Sequence, residues 1–107
     1  MSETLREINL TPEFLNGLAA IQTYQSQFDA AKGRQLSSAI VDFACDIIGP
    51  FPQAYPKHPV PQHPDREYRR AIFRRSYVLI YRVTATEVSF LVIYNTNQNP
   101  SGFSLPD

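Results

Sequence analysis

The residues best suited to chemistry lie close together in one run, Arg66-Glu67-Tyr68-Arg69-Arg70-Ala71-Ile72-Phe73-Arg74-Arg75-Ser76-Tyr77, with Arg82 shortly after. A guanidinium clamps a phosphate or carboxylate with paired N–H donors, and an interleaved tyrosine can stack on a base. The same mixture suits an interface that captures an acidic peptide. The charge distribution sharpens the point. Residues 1–56 carry three basic and six acidic side chains, whereas residues 57–82 carry seven basic ones against Asp65 and Glu67, and Glu87 and Asp107 return the total to zero. A focused positive region on an otherwise acidic chain points to a polyanionic or acidic partner. The plainer alternative is a strand edge that uses charge to stay solvated.

Other chemistries are poorly served. No phosphate-cradling glycine loop, paired-cysteine site or helical His-Glu-x-x-His occurs, and no serine or cysteine has an evident base. His58 and His63 lack ligand-type neighbours at metal spacing and read as solvated loop residues. Cys45 is single and sits within an apolar helical pattern, so it reads as a packing residue. No metal and no cofactor is expected.

The elements that must position the basic run can be read in chain order. Residues 5–10 alternate weakly, with Ile8 and Leu10 on one face, and predict a short strand. Thr11-Pro12-Glu13 is a helix start: threonine caps, proline fits the first turn, and glutamate suits the positive dipole end. Phe14, Leu15, Leu18 and Ile21 carry that helix to about Gln27. A second helix is predicted from about Ala31 to Ile48, with Leu36, Ile40, Phe43, Ala44 and Ile47 as its apolar stripe and Gly49-Pro50 as its stop.

Six of the nine prolines fall within residues 50–64, which predicts an extended but structured connector pinned by Phe51 and Tyr55. Beyond it, Tyr68–Arg75, Ser76–Thr84 and Glu87–Asn95 read as a three-stranded antiparallel meander. In the last of these, Val88, Phe90, Val92 and Tyr94 are expected on one face and Ser89, Leu91 and Ile93 on the other. The strands are apolar on both faces, and a helical hairpin covers only one. The second face therefore needs the connector, the tail or another chain. Within the tail, Phe103 and Leu105 are expected to dock on the sheet.

At 107 residues the chain has the size of one domain, 1–107, with an α+β fold. No apolar run is long enough for a membrane span, and no secretory signal is visible, so a cytoplasmic setting is expected.

The stretch from Tyr68 to Val83, Tyr-Arg-Arg-Ala-Ile-Phe-Arg-Arg-Ser-Tyr-Val-Leu-Ile-Tyr-Arg-Val, resembles the sheet signature of the RelE/ParE superfamily of bacterial toxin–antitoxin toxins. The likeness continues through Glu87-Val-Ser-Phe-Leu-Val-Ile-Tyr94-Asn-Thr-Asn-Gln-Asn-Pro100 and, with the order of elements, covers about residues 5–100. It implies a small sheet packed on two helices and a toxin of a type II module. RelE-like members cut mRNA on the ribosome with a basic cluster on the sheet, often aided by a tyrosine. ParE-like members keep the fold without that cluster and poison DNA gyrase. Both are neutralised by a small cognate antitoxin.

Carried over position by position, the resemblance retains Arg69 as the first basic nuclease residue. Ala71, Val78 and about Asn97 stand where the other three would be. Losing one donor to a transition-state charge costs about 10²–10³ in rate, so the nuclease set is depleted. The leading expectation is a gyrase-directed toxin, in which Arg66, Arg69, Arg70, Arg74, Arg75, Arg82, Tyr68 and Tyr77 face a target or antitoxin. The alternatives are a ribosome-dependent endoribonuclease, with Arg69, Arg70 and Tyr94 as candidate catalytic residues, and an inactive antitoxin-binding module. Expected partners are the antitoxin and either gyrase or the ribosome with its mRNA. No membrane partner is expected, and a homodimer stays open.

Overall fold

The structure, a computed structural model, describes residues 6–96. Strand β1 (Glu7–Leu10) leads into helices α1 (Pro12–Ser26) and α2 (Ala30–Asp42). A π-helical segment (Phe43–Ile48) and a 3-10 turn (Pro52–Ala54) follow, then strands β2 (Glu67–Phe73), β3 (Tyr77–Val83) and β4 (Glu87–Asn95). The result is an α+β fold: two helices on a four-stranded mixed sheet ordered β1-β4-β3-β2. β1 runs parallel to β4, while β2, β3 and β4 form the antiparallel meander.

Thr11 does two jobs. Its hydroxyl accepts from the Phe14 amide at 3.3 Å, capping α1, and donates to the Phe90 carbonyl at 2.8 Å, tying that cap to the sheet. Asp29 caps α2 through the amides of Ala31 and Lys32. The helical face against the sheet holds Phe14, Leu18, Ile40, Ala44 and Ile48, all buried.

Ile47 departs from its expected place. The periodicity puts it on the buried stripe, yet it is 53% exposed while Ile48 is fully buried. The cause is the π-helical segment, whose closing bond runs from the Gly49 amide to the Ala44 carbonyl. Its wider turn accommodates one more residue than an α-turn, so the inward position moves one residue along the chain.

A bulge does the same in β4. Tyr81 pairs with Phe90 but Ile80 pairs with Val92, leaving Leu91 as the extra residue. Ile93, not Val92, thereby joins Val88 and Phe90 in the core. The helix-side face carries Glu67, Arg69, Ala71 and Phe73 from β2, opposite Val83, Tyr81, Leu79 and Tyr77. The second face carries Tyr68, Arg70 and Ile72, opposite Arg82, Ile80 and Val78.

The connector is ordered by backbone pairing. The His58 amide donates to the Tyr68 carbonyl at 2.7 Å and the Arg70 amide to the Pro56 carbonyl at 3.1 Å, so Pro56–His58 run along the outer edge of β2. Tyr55 pins it as expected, its ring edge-on to Phe43. Phe51 does not, being 69% exposed. On the second face the connector reaches Tyr68, whose ring lies 6.3 Å from that of His63. Val78, Ile80 and Leu91 are buried there as well, outside the helix-side cluster, whereas Ile72 is exposed. The expected docking of Phe103 and Leu105 lies outside the described residues.

Candidate basic interaction surface

The arginine run does not form one surface. β-alternation sends Arg69 to the helix side, in one cross-strand row with Tyr81 and Phe90. Arg70 emerges on the second face, exposed, beside Ile80. Arg74 and Arg75 form the exposed tip of the β2–β3 hairpin, and Arg82 stands on the second face between Tyr68 and Ser89. Tyr68 and Tyr77 are buried, Tyr77 within the helix-side core. The candidate catalytic residues Arg69, Arg70 and Tyr94 are not brought together. Arg69 and Arg70 point to opposite faces, and Tyr94 is on β4 with the whole of β3 between it and Arg70. The fourth family position, about Asn97, lies outside the described residues.

Arg69 is engaged in a local lock. Its Nε donates to Glu67 Oε2 at 2.5 Å and its Nη1 to the Tyr55 carbonyl at 2.5 Å, with only 12% of the side chain exposed. Gln53 Nε2 donates to both Glu67 oxygens, at 3.3 and 3.2 Å. One strand below, the Tyr81 hydroxyl donates to the Pro52 carbonyl at 2.6 Å. Burial, with Tyr55 and Glu67 nearby, raises the Tyr81 phenol well above its ordinary range against the opposing pull of Arg69. Four side chains thus fasten β2 and β3 to the 52–55 segment.

Glu67 feels opposed forces. Burial pushes its carboxyl up, but the bonds from Arg69 and Gln53 and the charges of Arg69 and Lys57 together hold it below its ordinary value of 4.5. A carboxylate lowered on folding contributes stability above its unfolded pKa and loses it as pH falls through the folded one. Glu67→Gln is therefore expected to be less stable than the parent at pH 7, the gap closing well below pH 4.5. Urea midpoints at several pH values measure this directly.

The hairpin tip carries a different signal. Arg74 and Arg75 have φ of 52° and 63°, in the left-handed region where glycine or asparagine is the usual choice. The Arg74 guanidinium lies 4.8 Å from the Phe73 ring centroid, which steadies one of them. Both arginines are exposed at the tip.

A third basic feature was not legible as such. Arg6, from before β1, comes together with Arg66 and Arg82 around an open pocket of about 400 Å³ beside Thr84 and Ala85. Seventy-six positions separate Arg6 from Arg82 in the sequence, and the parallel β1–β4 pairing brings them together.

Among the described residues no group of His, Cys, Asp or Glu could hold a metal ion. A protein-family model described as ParE toxin of type II toxin-antitoxin system, parDE, matches residues 8–100. No curated protein matches the chain.

Proposed function

Because the chain belongs to the ParE toxin family of type II toxin–antitoxin systems, we propose that it acts by binding DNA gyrase and not by cutting mRNA. The family implies a cognate antitoxin as its partner. The observation that carries the gyrase reading is the position of Arg69. It is the one basic residue retained from the nuclease pattern, and its guanidinium is held on the helix side by Glu67 and the Tyr55 carbonyl. A phosphoryl-transfer site needs cations converging on the scissile phosphate. Ala71 and Val78 supply none.

The exposed arginines of the run, Arg70, Arg74 and Arg75, are spread over a sheet face and a hairpin tip. That arrangement suits a broad protein contact better than a point of catalysis. No helix among the described residues is long and apolar enough to cross a membrane, and the proposed setting is the cytoplasm, where gyrase is found.

The test uses purified chain in two assays. Inhibition of gyrase supercoiling with mRNA left intact on translating ribosomes is the expected result, and Arg70→Ala with Arg74→Ala and Arg75→Ala should abolish the inhibition. Cleavage of ribosome-bound mRNA would overturn the reading.

A further inference from the structure

The outer edge of β2 is paired only in part. In an antiparallel strand, alternate residues turn both backbone groups to the same neighbour. The Tyr68 carbonyl and the Arg70 amide point outward, to the His58 amide and the Pro56 carbonyl. Ile72, next in the alternation, therefore turns its N–H and C=O outward too. The connector does not extend to it. Ahead of Pro56 the chain lies on the helix side, where the Tyr55 carbonyl accepts from Arg69 and the Tyr55 ring meets Phe43. Neither backbone group of Ile72 has an outward partner among the described residues, and its side chain is 55% exposed. Cations stand on both sides of this short edge, Arg70 two residues before Ile72 and Arg74 two after, with Arg75 beyond. All three are exposed, none is in an ion pair among the described residues, and no acidic residue occurs from Tyr68 to Thr86.

We propose that Ile72 and these arginines receive an extended acidic segment of the toxin's protein target, added as a short strand beside β2; that the segment belongs to the target rests on the gyrase reading above. Backbone chemistry selects the polymer. A peptide strand returns both an acceptor and a donor to the paired N–H and C=O of Ile72, whereas a nucleic-acid backbone offers phosphate acceptors and no matching donor. Charge selects the peptide, since three unpaired guanidinium groups draw carboxylates and can hold each with two parallel bonds. A β-branched residue opposite Ile72 completes the contact as an apolar cross-strand pair. A second copy of this chain is a poor occupant, because it brings the same arginines to the same place.

The measurement is the backbone amide NMR spectrum of the full chain, titrated with acetyl-Glu-Val-Glu-Val-Glu-amide at constant ionic strength. Three other ligands accompany it: the glutamine counterpart, the glutamate peptide with every backbone nitrogen methylated, and hexathymidylate as the rival polyanion. A saturable shift of the Ile72 amide is expected with the glutamate peptide, and none with the methylated one. The glutamine peptide should bind about tenfold more weakly. Arg74→Asn with Arg75→Gly supplies residues at ease in the left-handed region. This double variant should melt no lower than the parent, yet bind the glutamate peptide about tenfold more weakly. An Ile72 amide that does not move overturns the site, as does equal binding of the glutamine or methylated peptide or by the double variant. Tighter binding of hexathymidylate overturns the peptide assignment. Gyrase is absent from the titration, so the two readings fail separately. Peptide binding without supercoiling inhibition sinks the gyrase reading alone, and inhibition without peptide binding sinks this one.

Discussion

Tyr81→Ala is expected to destabilise the chain by about 3–5 kcal/mol, the range for emptying a fully buried aromatic site. Tyr81 has no exposed surface, and its ring lies 5.2 Å from that of Phe90 at the centre of the sheet. Its hydroxyl is the longer reach: the bond to the Pro52 carbonyl joins residues 29 apart in sequence. Tyr81→Phe separates the two contributions. It keeps the ring and strands the Pro52 carbonyl, for a loss of about 1–3 kcal/mol. In a chain of this size each kcal/mol lowers Tm by about 4–8 °C, so thermal unfolding of the pair resolves ring from hydroxyl. Equal losses in both variants would show that the ring's burial contributes little beyond the hydrogen bond.

Arg69→Ala is expected to cost about 1–3 kcal/mol, because it leaves the Tyr55 carbonyl and the Glu67 carboxylate without their main donor. The consequence for interpretation is large. A loss of function in this variant that accompanies a loss of stability would reflect a loosened 52–55 segment, with no bearing on catalysis. Arg69→Lys sharpens the point, since lysine keeps the charge but cannot present the Nε and Nη donors in the same fork. If both variants unfold at lower urea than the parent and the proposed gyrase inhibition recovers under stabilising conditions, Arg69 is a structural residue. If stability is unchanged while inhibition disappears, Arg69 belongs to the contact surface.

Where local sequence reasoning succeeded, it did so because each signal was self-contained. Thr11-Pro12-Glu13 carries its own cap, first-turn proline and dipole partner, and α1 begins there. The three strands of the meander follow from their alternating residues and short connections, and they appear at the expected places. Two of the failures share one cause. At Ile47 and Ile48, and again at Val92 and Ile93, the backbone absorbs an extra residue through the π-helical segment and the β4 bulge. Periodic patterns keep counting at a fixed step, so neither insertion disturbs them visibly. Both pairs are apolar at either register, and composition could not arbitrate.

The candidate site was legible as composition and not as geometry. Seven basic residues between 57 and 82 announce a charged region. Strand alternation then divides Arg69 from Arg70, a division readable from the sequence once the strand is drawn. Nothing in the sequence tells that Arg69 finds Glu67 on its own face and a carbonyl from the connector. Arg6 is the clearest omission, because an isolated arginine before a four-residue strand carries no signal until β1 pairs with β4.

The pairing of Pro56–His58 along β2 has a consequence for how copies of the chain can polymerise. A sheet ordered β1-β4-β3-β2 has two outer strands, and each is a template for β-augmentation. One of them is already occupied from Tyr68 to Arg70, and its remaining residues, Ile72 and Phe73, adjoin the mutually repelling Arg74 and Arg75. Strand addition is thus directed to β1. Growth into a fibril requires two complementary edges, one to receive and one to offer. With a single usable edge among the described residues, chains that meet through their sheets would close as a twofold pair and stop.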